Sequence, residues 1–503
     1  MGNRFSGYLW QKDSGTASDM SQRNDDSYGF FSRKRAVSDD DASSSSPDQP
    51  TRKVLKLDTA KYLHQTLFLD GKNSDVVICA LGHEWALHKI YLEQCEYFRA
   101  LFSGSWNDSS ENRYKLDIVD ERVTFEGLNS VFGSLYQNEL VFELKDLSGI
   151  LSASALFNLR ACIERCDDVM LHSISADTVL EFWDLCQAYG CLRAREQIIS
   201  YLTHYFWKLS QEDEFLGGIS YDLLLLTISQ PQLCVAEGEK DLYTAVKKWI
   251  YIQEENRPTS SVGNLHMYFV EKPQHYFYKY APLLSHLRFQ HMITSKKTLD
   301  TLKTEHIIGN ELLSQVVNCN WETVLYNEEK QELEDVLSDE FFYKHCRRLG
   351  RHLTEEKCWR WAGLDFGLDL LFRCQLGMIS MIRNVKRDIV PQSLSFRQEY
   401  KIHYRMILLD EKGNVVVDTK RRLETLQADQ KRFVASYPAN LKEFSIHLFY
   451  LNHVPGRTAE SHWEGVLKEN EEREKLMTPV VVTDEDYLET FDEAVQSRPY
   501  EFD

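Results

Sequence analysis

The chain of 503 residues is 43% hydrophobic and 27% charged, an ordinary globular balance that excludes a fully disordered or fibrous protein. At about 150 residues per domain, the length predicts roughly three domains. The formal net charge of −19 repels phosphate, so no direct binding of nucleic acid is expected of the chain as a whole. The longest purely aliphatic stretch, Leu223 to Leu226, is far short of the about 20 residues of a bilayer-spanning helix, and no integral membrane segment is expected. Eleven cysteines, an odd count without a disulfide framework, predict free thiols in a reducing compartment. Cys162 with Cys166 and Cys186 with Cys191 form two close pairs, but neither is followed by a second pair at zinc-ligand spacing. No metal and no cofactor are expected.

Residues 1–57 are polar, with a serine run at Ser43 to Ser46 before Pro47, and read as a disordered arm. From Asp58 the pattern becomes dense and mixed. Ala60 to Leu69 predicts a helix, and Val76 to Cys79 a buried strand. Glu84 to Leu87 is its expected hairpin partner, with Leu81-Gly82-His83 in the turn. Ile90 to Phe102 and Phe125 to Tyr136 predict two further helices. Residues 58–172 therefore read as one α/β unit. Residues 173–310 read as almost entirely helical: Val179, Phe182, Trp183 and Cys186 recur at helical spacing, as do Ile198, Leu202, Tyr205 and Phe206. Tyr189-Gly190 reads as a helix-ending turn. Residues 338–455 change character. Ile402, Tyr404, Met406 and Leu408 alternate along a strand, a Gly-containing turn follows at Glu411 to Asn414, and Val415 to Val417 return. Ser445 to Leu451 predicts another strand. Residues 456–503 form a tail in which 14 acidic and 4 basic side chains lie between 460 and 503. No internal repeat is visible.

Asn73-Ser74-Asp75-Val76, Leu87-His88-Lys89 and Tyr97-Phe98 occur in the order that resembles a BTB (POZ) domain. Cys186 to Phe206, with Ala188-Tyr189-Gly190-Cys191, is similar to the opening of a BACK domain, and Asp241 to Trp249 to a later BACK helix. No kelch repeats follow. Instead Cys358-Trp359-Arg360-Trp361-Ala362-Gly363 leads into Phe366-Gly367-Leu368-Asp369. Together with Tyr62 to Leu69, Cys79-Ala80-Leu81-Gly82 and Phe102-Ser103-Gly104-Ser105-Trp106, this resembles the germ cell-less family. The resemblance implies a multidomain protein: an α/β BTB domain, an all-α BACK domain and a β-rich, sandwich-like C-terminal domain between a disordered arm and an acidic tail. It implies a non-enzymatic adaptor that dimerises through BTB, binds cullin-3 and presents a protein substrate to the ubiquitin ligase. It also implies association with the nuclear envelope and with germ-cell formation. The alternative is a nuclear-envelope scaffold or corepressor partner that uses BTB only to dimerise.

The resemblance assigns Phe102, Trp106 and Asp108 to the cullin surface, with Asp where such adaptors more often carry Glu; an aromatic anchor beside a carboxylate suits an interface. Leu63, Leu67, Phe68 and Leu69 make the first helix too apolar for a free surface and are expected at a C₂ dimer interface. Asp75, His88 and Lys89 read as structural rather than catalytic, because nothing nearby supplies a nucleophile. Trp359, Arg360 and Trp361 form the densest aromatic cluster. On a strand the two tryptophans share a face, which is either sandwich core or a substrate groove. Met1-Gly2-Asn3-Arg4-Phe5-Ser6 matches the myristoylation pattern at Gly2. One lipid chain binds a membrane only marginally, and Arg33, Lys34 and Arg35 are a candidate second signal. With Arg52, Lys53 and Lys56 the same cluster also reads as a bipartite nuclear import signal. Lipid and import together suit the inner face of the nuclear envelope. The acidic tail reads as a solvated run, a guard over a basic substrate site, or a binder of a basic partner.

Overall fold

A computed structural model describes residues 59–103, 112–137, 140, 142–259, 265–328, 333–365, 368–384, 399–427, 429–438, 441–453 and 467–468. The expected disordered arm, Gly2, the basic clusters, Trp106, Asp108 and nearly all of the acidic tail lie outside these residues.

The first unit is built on a three-stranded sheet. Strands β1 (Val76–Ala80) and β2 (His83–Leu87) are antiparallel, and β3 (Arg113–Lys115) joins β1 in parallel, in the order β2-β1-β3. Leu81 and Gly82 turn the hairpin, both at positive φ, so His83 opens the return strand instead of sitting in the turn. The predicted helix Ile90 to Phe102 is two helices, Lys89–Leu92 and Glu96–Phe102. The break buries Cys95, whose thiol donates to the Phe157 carbonyl at 2.8 Å. Thr124 caps the helix Phe125–Ser134 through the Gly127 N–H. A Cβ on Gly127 would lie 2.3 Å from the Gly149 carbonyl oxygen, so the helices Phe125–Ser134 and Leu147–Leu156 pass backbone against backbone.

Helices Val179–Tyr189 and Leu192–Leu209 follow, with Gly190 between them in the left-handed region at φ 74°. Ile198, Leu202, Tyr205 and Phe206 face the core, as their spacing predicts. Further helices include Tyr221–Ile228, Glu239–Glu255, Lys296–Glu305 and Asn310–Glu328. Buried side chains from Phe68 to Val316 form one continuous core, so the α/β and helical units are fused by packing.

The C-terminal part is a two-sheet sandwich. Its strands are β4 (Arg347–Leu353), β5 (Lys357–Asp365), β6 (Leu368–Gln375), β7 (Met378–Arg383), β8 (Glu399–Asp410), β9 (Val415–Asp418), β10 (Arg422–Gln427), β11 (Lys431–Ser436) and β12 (Phe444–Leu451). One sheet runs β10-β8-β12-β4 with β9 on β8, and the other runs β11-β7-β6-β5. Phe372 and Met381 of the second sheet meet Tyr404, Met406 and Leu448 of the first in one core. The strand predicted around Ile402 to Leu408 is longer than the sequence pattern showed and is buried on both faces. Its other face, with Ile407 and Leu409, packs with Phe449 and Leu451 against Phe342, Tyr343 and Cys234.

Candidate interaction surfaces

Asp75, His88 and Lys89 come together where the hairpin gives way to a helix. Asp75 Oδ1 accepts from the Lys89 backbone N–H at 2.8 Å, satisfying a helix-start donor that has no partner within the helix. The buried His88 backbone N–H donates to the Tyr136 hydroxyl at 2.9 Å. Its Nε2 lies 2.9 Å from the Lys72 carbonyl, which fixes the proton there and leaves Nδ1 to accept from Tyr136 at 3.1 Å. Burial raises the Tyr136 phenol well above its usual range. Lys89 Nζ donates to Asn112 at 2.9 Å and stands 5.6 Å above the Phe102 ring. All of these groups are engaged within the fold. Tyr136 closes this network, and nothing in the sequence near it marks it for that role.

Phe102 ends its helix half-buried, stacked on Phe98 at 5.9 Å and tilted against Tyr114 at 5.3 Å. Tyr97, edge-on to Phe98 and Phe157, keeps 38% of its surface exposed.

The first helix departs from the expected dimer face at one position. Thr59–Leu63 is α-helical, but His64–Leu69 widens to a π-helical turn. That turn rotates Phe68 inward, where it is buried against Tyr136 at 5.4 Å and lies over Gly133. Phe68 belongs to its own subunit's core. Leu69 is 56% exposed and Tyr62 66%, while Leu63 and Leu67 are half-buried.

Trp359 and Trp361 share a face, as strand geometry requires, and that face is the sandwich core. Trp359 is buried and stacks on Phe372 at 5.5 Å, and Trp361 lies edge-on to the same ring at 4.8 Å. The substrate-groove reading of the two tryptophans is corrected by this burial. Arg360 points to the outer face and pairs with Asp369 at 2.6 Å.

The outer face of the five-stranded sheet docks onto the helical unit. Arg348 of β4, fully buried, makes a two-pronged pair with Glu239 at 2.5 and 2.7 Å. Glu239 opens the helix Glu239–Glu255, where the helix dipole also favours a carboxylate. Burial pushes its acid upward, but Arg348 and the Arg288 backbone N–H hold it below the usual carboxylate range. The Arg288 guanidinium donates to the carbonyls of Cys346, Tyr343 and Pro231. His447 of β12 bonds the Val235 carbonyl at 3.1 Å, and Arg405 of β8 reaches both Gln232 and the Tyr343 hydroxyl. A Cβ on Gly350 would lie 2.0 Å from the Val235 oxygen and 2.1 Å from that of Ala236. Nothing in the local pattern marks this joint. Arg348 and Glu239 are 109 residues apart, and neither lies in a motif or an apolar pattern that marks it as buried.

Residues 64–174 match the family described as BTB/POZ domain, and residues 179–265 that described as BTB And C-terminal Kelch. The chain is 31% identical to "Germ cell-less protein-like 1" of Mus musculus over 424 residues, covering 79% of this chain and 80% of the relative. The human protein of the same name is 31% identical over 422 residues, covering 79% and 81%. This chain belongs to the germ cell-less family. "Protein germ cell-less" of Drosophila melanogaster is 28% identical over 420 residues, covering 76% of this chain and 71% of the relative.

For this germ cell-less family member the α/β unit is thus a BTB domain, the helical unit a BACK domain, and the β-sandwich the C-terminal domain. All eleven cysteines are free, and among the described residues no cluster of His, Cys, Asp and Glu has the form of a metal site. Among those residues no helix is long and apolar enough to cross a membrane.

Proposed function

We propose that this chain is a dimeric substrate-recruiting adaptor of a cullin-3 ubiquitin ligase, acting at the nuclear envelope in germ-cell formation. One observation carries the reading: a BTB-BACK unit is joined through buried polar pairs to a separate β-sandwich. An adaptor must hold its substrate at a fixed distance from the ligase, and a sandwich held by Arg348, Gly350 and His447 cannot swing freely. The role is binding, and the chemistry of ubiquitin transfer belongs to the ligase.

Phe102, Trp106 and Asp108 are the proposed cullin contacts. Truncating an aromatic hot spot costs about 2 kcal/mol or more in binding. The test is a pull-down of cullin-3 by the Trp106→Ala, Asp108→Ala double variant, which is expected to recover far less cullin than wild type while remaining folded. Recovery at wild-type levels removes these residues from the interface, and failure of wild type itself to bring down cullin-3 favours the scaffold reading.

Dimerisation is assigned to the first helix through Leu63, Leu67 and the exposed Leu69. Leu69→Glu places a charge where the partner's apolar surface would sit, and burying an unpaired charge is prohibitive. Sedimentation of the full chain is expected to show a dimer for wild type and a monomer for Leu69→Glu. A wild-type monomer at micromolar concentration contradicts the assignment.

Nuclear-rim placement is proposed to need both the lipid at Gly2 and the basic clusters. Gly2→Ala removes the amine that is acylated and leaves import intact, so the protein should spread through the nucleoplasm. Replacing Arg33, Lys34, Arg35, Arg52 and Lys53 with alanine leaves the lipid, so the protein should shift to cytoplasmic membranes or cytosol. Both are read by imaging C-terminally tagged protein. An unchanged rim for Gly2→Ala shows that a protein partner does the targeting.

A further inference from the structure

The outer face of the four-stranded sheet differs from the rest of this acidic chain. Across it, Phe433, Ser380, Arg373 and Cys358 stand in one row, because each is the direct cross-strand partner of the next. Met378 lies two residues along β7 from Ser380, on the same side. Phe433 is 59% exposed, Met378 47%, and Leu376, in the β6–β7 turn, 76%. Leu376 adopts φ 52°, a left-handed conformation that asparagine or glycine takes with far less strain. The chain thus holds a strained leucine in solvent beside two further apolar side chains.

Among the described side chains, the charges on this face that lack an ion-pair partner are basic. Arg373 and Lys431 are exposed, and among the described residues neither has a carboxylate partner. Among the side chains described on these strands, the carboxylate of Asp369 is already bound by Arg360 at 2.6 Å and by the Asn384 amide at 2.9 Å. Glu356, beside the turn, accepts from the Leu376 N–H at 2.6 Å. Two cations without acidic partners thus flank a cluster of exposed apolar side chains, in a chain of net charge −19.

We propose that this face docks an extended acidic segment of a substrate protein that also carries aliphatic or aromatic side chains. The inference rests on the adaptor reading above and names the substrate class. Carboxylates on the segment meet Arg373 and Lys431, which steer and orient it. Its apolar side chains cover Leu376, Met378 and Phe433 and supply most of the affinity. An extended segment fits because it turns alternate side chains to one side and so offers acid and apolar groups to the sheet together. The apolar cluster sets this site apart from one for phosphate, which has no use for it.

Cys358 provides the probe, since it is the exposed thiol of the eleven and is paired across the strands with Arg373. The full chain carrying an environment-sensitive fluorophore on Cys358 is titrated with a synthetic peptide that alternates glutamate with leucine and phenylalanine, and with its lysine counterpart. The acidic peptide is expected to give a saturable change that high salt weakens. Arg373→Glu with Lys431→Glu, and separately Phe433→Ser, should each weaken it by about tenfold or more. The lysine peptide should be silent. An equal response to the lysine peptide, or an unchanged response in the double variant, overturns the proposal. So does a response that appears only after residues 456–503 are removed, because the face then belongs to the chain's own tail. Cullin-3 pull-down by the same variants separates the two readings. Loss of peptide binding with cullin-3 retained supports the docking face, whereas peptide binding by a wild type that fails to bring down cullin-3 keeps the face and overturns the adaptor.

Discussion

Replacing Glu239 with glutamine is expected to cost about 3–5 kcal/mol, because it leaves the Arg348 guanidinium buried without a counter-charge. Both side chains are almost wholly buried, so water cannot take over the missing role. The pair joins the start of a BACK helix to the first strand of the sandwich, and the loss falls on the joint. Denaturant unfolding followed by tryptophan fluorescence should show an earlier transition, and protease should cut between BACK and sandwich at lower denaturant. Replacing both partners, Glu239→Met with Arg348→Met, removes the uncompensated charge and should recover most of the stability. If the single variant unfolds like wild type, the pair is not holding the joint. The same pair carries a pH dependence. Glu239 titrates below its ordinary range in the folded chain, so its contribution is present above the unfolded carboxylate pKa and is lost as pH falls through the lower folded value.

Gly350→Ala is the second large effect. The added methyl would sit 2.0 Å from one carbonyl oxygen and 2.1 Å from the next, both backbone atoms of the loop before the helix Glu239–Glu255. A crowded side chain can rotate away, but a backbone carbonyl moves only with its segment. The cost is expected at or above the upper end of the about 1–3 kcal/mol typical of overpacking. The variant should lose stability while its BTB domain still dimerises, because the clash lies far along the chain from the first helix. Denaturant midpoints and sedimentation of the same sample check both parts. A stability within about 0.5 kcal/mol of wild type, the range of ordinary surface changes, would show that the two units are not packed backbone to backbone.

Local pattern made part of this architecture legible before any coordinates. Ile198, Leu202, Tyr205 and Phe206 announced a buried helical face through their spacing, and Leu81-Gly82 announced a hairpin through turn chemistry. Both signals are written in neighbouring residues. Phe68 was misplaced because its inward direction depends on a π-helical turn, which shifts the face without any mark in composition. The interruption at Cys95 was missed for a similar reason, since its cause is a partner carbonyl 62 residues away. The joint was illegible because each of its members looks ordinary alone. Arg348 and Glu239 are 109 residues apart, and a charged side chain is read as solvated until its partner is known. Trp359 and Trp361 show the converse: the shared face was predictable from strand geometry, but which side of the sandwich it faced was not.

The central claim is that one dimer of this chain carries cullin-3. Light scattering coupled to size-exclusion chromatography, on full-length chain mixed with the N-terminal domain of cullin-3, tests it most directly. The account predicts a single species with the mass of two chains and two cullin domains for wild type, and the mass of the uncomplexed dimer for the Trp106→Ala, Asp108→Ala variant. A wild-type chain that elutes at its own mass with all of the cullin domain left free would contradict it.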